Sequence, residues 1–257
     1  MYFSQESIQK LENDHVEVEG KYQALLEAFS TRTYGEKQAA EFAIHGFTRR
    51  LKTMKRCIDN IYRICPPDID RKPSSEELSD LAINLQAFVL NIYGSLDNLA
   101  WVWVKEKEKK ILNNKGNLLA NAEIGFAKEY KPIRNSFSSE FRSYLETLDK
   151  WFTYVKDFRH SLAHRIPLYV PPYVLNEEEV KSERELEALQ TEALKKHKSD
   201  EYDRLTDKIG TLGKFEPVMT HSFGEKSPQV VFHAQIIADW NTVVQIAQNF
   251  LKELDRA

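Results

Sequence analysis

At 257 residues the chain is long enough to bury a substantial core, as one large domain or two small ones. Its 42% hydrophobic and 29% charged residues match an ordinary soluble protein and leave too little apolar sequence for a membrane class. The formal net charge of −3 excludes global basicity as a basis for nucleic-acid binding, so any polyanion site must be a local patch. Cys57 and Cys65 are the only cysteines, too few for a disulfide framework or a four-thiolate zinc site, and they fit a reducing cytosol. The opening Met1-Tyr2-Phe3-Ser4-Gln5-Glu6 turns polar at once, so no signal peptide is expected. The most membrane-like run, Leu99-Ala100-Trp101-Val102-Trp103-Val104, is far shorter than a bilayer span, and no membrane contact is predicted.

Taken in chain order, the pattern is helix after helix. Ile8, Leu11, Val18, Tyr22, Leu25, Leu26 and Phe29 recur near helical period and predict a helix over 6–29. A second, over 35–64, carries Phe42, Phe47, Leu51, Met54, Ile58, Ile61 and Tyr62. It ends at Cys65-Pro66-Pro67, because proline lacks the amide and disfavours helix in the residue before it. Ser74 and Glu77 have the spacing of a capping box. They open a third helix whose stripe runs through Leu78, Leu81, Leu85, Phe88, Val89, Ile92, Leu96, Leu99 and Trp103. A polar break at Asn113-Asn114-Lys115-Gly116-Asn117 leads into irregular chain as far as Asn135. A fourth long helix, 138–164, buries Phe141, Tyr144, Leu145, Leu148, Phe152, Val155, Phe158 and Leu162. The proline-rich 166–172 must be extended. Residues 177–208 are charged, with Val180, Leu186, Leu189, Leu194 and Leu205 too sparse for a core face, and read as a solvated helix or helical hairpin inserted on the surface. Segments 215–221 and 229–234 look like short strands joined by a turn containing Gly224 and Pro228, before a closing helix over 236–254. The expected fold is all-α: one up-and-down bundle with a charged helical insertion and a minor β-hairpin. Its parts are N-terminal helices (1–65), a central portion (74–172), the insertion (173–235) and the closing helix (236–257).

The chemistry is concentrated in Arg159-His160-Ser161-Leu162-Ala163-His164, followed by Arg165-Ile166-Pro167. Arginine keeps its charge and forks onto phosphate oxygens, and histidine moves protons near neutrality. Together they point to phosphodiester chemistry. The competing explanation is that cations at a helix C-terminus complement its negative dipole end. Positions five apart on a straight α-helix diverge by roughly 140°. Arg159 and His164 therefore converge only if the last turn loosens or if the site is completed across a dimer. His160 and His164, four apart, share a face. That spacing also suits a metal pair, but Ser161 stands where a zinc-protease motif has glutamate and no third ligand is placed, so no metal is assigned.

Arg159, four intervening residues and His164, ending a helix in an all-helical chain, resemble the motif of the HEPN superfamily. The continuation through Pro171-Pro172 is similar to an uncharacterised bacterial branch of it. The resemblance covers about 74–172 and the terminal helix. It implies a homodimer that brings two motifs into one cleft, and a metal-independent endoribonuclease acting on RNA. Arg159 would hold the phosphate, His164 would move the proton of the 2′-hydroxyl or leaving oxygen, and His160 would orient the group. Ile166 stands where nucleotide-silenced members carry tyrosine, which argues against that mode of control. Non-catalytic members exist, so a protein- or nucleotide-binding module is the alternative.

Asp97 and Arg165 are the expected accompanying binding residues; Asp97 could pair with Arg159 or face the cleft. Arg49, Arg50, Lys52, Lys55 and Arg56 form one basic run, and Lys105, Lys107, Lys109 and Lys110 another. Each could track an RNA backbone or be a solvated face. Trp101 and Trp103, near Tyr93, could stack bases or belong to core or interface. His15, His45, His197, His221 and His233 fall in no ligand pattern. With no Walker loop, glycine-rich fingerprint or serine elbow, no cofactor is predicted. The insertion over 177–208 is the expected surface for a protein partner, and the expected location is the cytoplasm.

Overall fold

The protein is described by a computed structural model covering residues 2–106, 111–113, 115–222 and 229–256. Lys107, Lys109 and Lys110 of the second basic run, Asn114, and the turn residues Gly224 and Pro228 lie outside the described residues. Helix α1 (Gln5–Ser30) is capped by the Ser4 side chain. Helix α2 (Lys37–Ala40) runs into a π segment (Glu41–Phe47) and on into α3 (Thr48–Ile64). The helix predicted over 35–64 is therefore real but carries a widened turn, marked by the Thr48 amide bonding back to Ala43. Helix α4 (Ser75–Glu106) starts with the predicted capping box: the Ser74 amide donates to Glu77 at 2.7 Å and the Glu77 amide to Ser74 Oγ at 3.2 Å. Arg71 grips Glu77 with two bonds of 2.6 and 2.7 Å, and these contacts hold the Glu77 carboxyl at about 2.

The stretch expected to be irregular contains a short 3₁₀ turn (Asn121–Glu123) and helix α5 (Lys131–Ser136). The long helix expected over 138–164 is instead two, α6 (Ser139–Thr147) and α7 (Asp149–His164), broken at Leu148. Arg134 accounts for the break. It is buried, donates to the Phe126 carbonyl at 2.6 Å, and forms an ion pair of 2.7 Å with Asp149 in the first turn of α7. Its guanidinium lies over the Phe152 ring. An acidic first turn suits the positive end of α7. Phe141 and Leu145 still share a buried side with Phe152, Val155 and Phe158, whereas Tyr144, Leu148 and Leu162, expected in the core, are half-buried.

Helices α8 (Glu177–Lys195) and α9 (Ser199–Thr211) form the hairpin version of the predicted insertion. They pack mainly on each other and are tied to the body by Lys72 bonding the Gly210 and Leu212 carbonyls and by the bridge between Val174 and Lys214. Strands β1 (Val218–Met219) and β2 (Val230–Val231) make a two-stranded antiparallel sheet, shorter than predicted. Helix α10 (Phe232–Arg256) begins where the second strand was expected to continue. Phe232, His233, Ile236, Ile237 and Trp240 are buried at helical spacing, and that burial outweighs local strand preference.

The fold is thus all-α with a minor hairpin, and α4 is its spine, packed by α2, the π segment, α3, α7 and α10. Trp103, Phe126, Phe137, Phe141 and Phe250 form one aromatic cluster at its C-terminal end. Among the described residues no helix is long and apolar enough to cross a membrane. Arg134→Met should cost about 3 kcal/mol of unfolding free energy, because it leaves a carbonyl and a carboxylate without their buried partner. Urea denaturation at neutral pH measures it; a loss near zero would mean that Arg134 does not set the α6–α7 break.

Candidate functional site

Arg159 is half-buried on α7, and its guanidinium lies 5.2 Å over the ring of Tyr93 on α4. Burial, with Tyr130 nearby, pushes the ionisation of the Tyr93 hydroxyl well above the usual tyrosine range. The Tyr130 ring needs the missing side chain of Gly125: a Cβ there would stand 2.5 Å from it. Beside this stack sits Asp97, one turn further along α4. Burial pushes its carboxyl up to about 6, even though the charges of Arg159 and Arg50 both pull it down.

Arg50 comes from α3 and lies flat against Gly94, where a Cβ would fall 2.4 Å from the guanidinium carbon. It donates to Asn98 Oδ1 at 2.9 Å and to Asn91 Oδ1 at 3.2 Å. Asn91 in turn donates to the Ala87 carbonyl, so its amide is used on both sides. The polar residues that interrupt the apolar pattern of α4 are thus drawn to Arg50, two by hydrogen bonds and Asp97 by charge. The charges of Arg159 and Arg50 both act on the Asp97 carboxyl, and Arg159 itself rests on an aromatic face.

The histidines lie elsewhere on α7. His160 and His164 are exposed, with ring centroids 5.1 Å apart, and Arg165 follows them at the surface. Ser161 between them points into the core. Helix α7 stays α-helical through His164, and the Arg165 amide bonds back to the Ser161 carbonyl at 3.0 Å. The last turn does not loosen, so within one chain Arg159 and His164 diverge by roughly 140°. The structure therefore sets Arg159 on Tyr93 with its charge acting on Asp97, places His160 beside His164, and does not join Arg159 to His164. The basic run on α3 also divides: Lys55 is engaged by Glu19 and Asp59, Arg50 turns inward, and Arg49 is exposed. Trp103 is core, while Trp101 is half-buried.

Tyr130 and the inward role of Arg50 were not legible in the sequence, because both depend on partners on other helices. The Asn91–Asn98 spacing of seven, two turns on one face of α4, was the only local signal. Among the described residues no group of three or more His, Cys, Asp or Glu side chains could hold a metal ion. Comparison of the chain with models of protein families, with curated proteins and with solved structures finds no match.

Asp97 gives the site a signature in stability. Its carboxyl ionises at about 6 when folded and near 3.8 when not, so it destabilises the fold as pH rises through 4 to 6. Asp97→Asn removes that loss. The stability of the variant relative to the parent should rise by roughly 3 kcal/mol between pH 4 and pH 7. Chemical denaturation of both proteins at the two pH values is the measurement; a difference that stays constant would place Asp97 in water.

Proposed function

We propose that this protein is a metal-independent endoribonuclease of the HEPN type, acting as a twofold homodimer in the cytoplasm. The observation that supports the reading is the division of α7: an arginine set on the Tyr93 ring on one side and an exposed imidazole pair on the other. Two copies related by a twofold axis set the same patch against itself. Arg159 of one protomer and His164 of the partner subunit then flank a single phosphodiester. The Tyr93 ring supports Arg159, with the Asp97 charge nearby, before substrate arrives, which lowers the ordering cost of binding. The buried free thiols Cys57 and Cys65 accord with a reducing compartment.

In this reading His164 removes the proton of the ribose 2′-hydroxyl, and the oxygen attacks the adjacent phosphorus. Arg159 stabilises the charge gathering on the non-bridging oxygens. The P–O5′ bond breaks, the departing oxygen takes up a proton, and a 2′,3′-cyclic phosphate remains. His160 orients the reacting group, and Arg165 adds a cation at the rim. A competing reading, a non-catalytic binding module, is favoured by the α8–α9 hairpin, where Leu189 and Leu194 are exposed on helices that pack mainly on each other.

RNA cleavage by the purified protein should persist in a chelator and give cyclic-phosphate ends, while DNA of the same sequence survives. His164→Ala should lower the rate on the order of a hundredfold to ten-thousandfold. Arg159→Ala should cost at least as much, and Arg159→Lys should not restore full activity, since a point charge cannot make the two-pronged contact. Sedimentation should give a dimer at micromolar concentration. A monomer that leaves RNA intact would move the assignment to the binding module.

A further inference from the structure

Beyond the motif, a groove of about 550 Å³ lies between the π segment and α4, within the roughly 300–1,000 Å³ of small-ligand sites. Its walls combine groups that the sequence kept apart. Phe42 and Trp101 lie parallel, with ring centroids 5.2 Å apart. The Lys105 ammonium sits 5.2 Å over the Trp101 ring, and the Arg49 guanidinium contacts His45 at 3.2 Å on the opposite wall. Gln38, Asn98 and Asn121 contribute amides, and Glu41 a carboxylate.

Two structural features open this space. The π segment carries Phe42, His45 and Gly46, and such widened turns are frequent at functional sites. At Gly46 a Cβ would stand 2.8 Å from the Asn98 amide nitrogen, so only glycine lets that amide reach the groove wall. Asn98 accepts from Arg50 through its oxygen, which keeps its amide nitrogen on the groove side.

The groove is also in register with the motif. Tyr93, Asp97, Trp101 and Lys105 are successive i, i+4 positions on α4 and form one ridge. An aromatic ring covered by a cation occurs at each end of it: Arg159 over Tyr93 and Lys105 over Trp101. Trp101 lies one turn, about 6 Å, beyond Asp97 along the axis.

We infer that this groove is a subsite for a nucleotide of single-stranded RNA, adjoining the one at Arg159. An unstacked base displaces Lys105 from the aromatic pair and stacks there. Lys105 and Arg49 then take the flanking phosphates, and the amides with Glu41 meet the base edge. Stacking on aromatic side chains with cations along the backbone is the general means of holding single strands. The inference rests on the ribonuclease reading for its substrate class, but binding and cleavage can be measured apart.

The test uses an oligonucleotide of 2′-O-methyl RNA, which lacks the attacking hydroxyl and can bind without being cut. Wild type should bind it with quenching of tryptophan fluorescence, and Trp101→Phe should remove most of that quenching. Arg49→Glu combined with Lys105→Glu should weaken binding tenfold or more and flatten its salt dependence, with the circular dichroism of the fold unchanged. Binding by the double variant within twofold of wild type, or no binding by wild type, overturns the inference. Cleavage of ordinary RNA is followed in parallel. Groove-dependent binding without cleavage leaves the subsite standing and removes the nuclease reading. Cleavage with groove-independent binding does the reverse.

Discussion

The Arg50 guanidinium laid across Gly94 organises this molecule. Helix α4 is apolar along most of its 32 residues, and its polar exceptions would be costly inside a bundle unless each found a partner. Arg50 supplies partners for two of them at once, Asn91 and Asn98, and its charge also acts on Asp97. The close approach that this requires exists only because Gly94 has no side chain. Helix α3 is thereby registered against α4, and with it the π segment on one flank. On the other flank, Arg159 from α7 adds a second positive charge near Asp97.

This arrangement trades stability for position. An aspartate whose carboxyl is pushed up to about 6 is a net cost at neutral pH, as is a widened turn in a helix. Both stand next to the residues proposed to touch RNA, and a protein under selection for stability alone would replace them. Helix caps and the main core follow ordinary rules. Ser4, Ser74, Ser138 and Asn176 all accept from the first turn of the helices they precede, and the core is a continuous apolar cluster. Costly buried groups also occur away from Arg50: burial pushes the Asp239 carboxyl up to about 6 and the His233 imidazole down to about 4.

How much of this could be read in advance depended on range. The third helix was legible from Ser74 and Glu77 and from a stripe that runs unbroken to Trp103, because caps and periodicity are local. The break at Leu148 was not, since the apolar pattern continues across it and its cause, Arg134, lies on a different helix. The start of α10 at Phe232 was missed for the same reason: Val230-Val231-Phe232 has strand character by itself, and only the core decides that Phe232 and His233 turn inward.

The candidate site divides along the same line. The sequence by itself determined that His160 and His164 share a face, that Arg159 points away from them, and that Pro167 lies beyond the end of the helix. Those are consequences of 3.6 residues per turn and of proline chemistry. The tertiary structure alone decided that Arg159 rests on Tyr93, that Arg50 turns inward rather than to solvent, and that Arg49 and Lys105 meet across an aromatic groove. Each of these joins side chains more than forty residues apart. Such contacts are set by which ridge of one helix enters which groove of another, a choice made by the packing of the whole bundle and by no local run of residues.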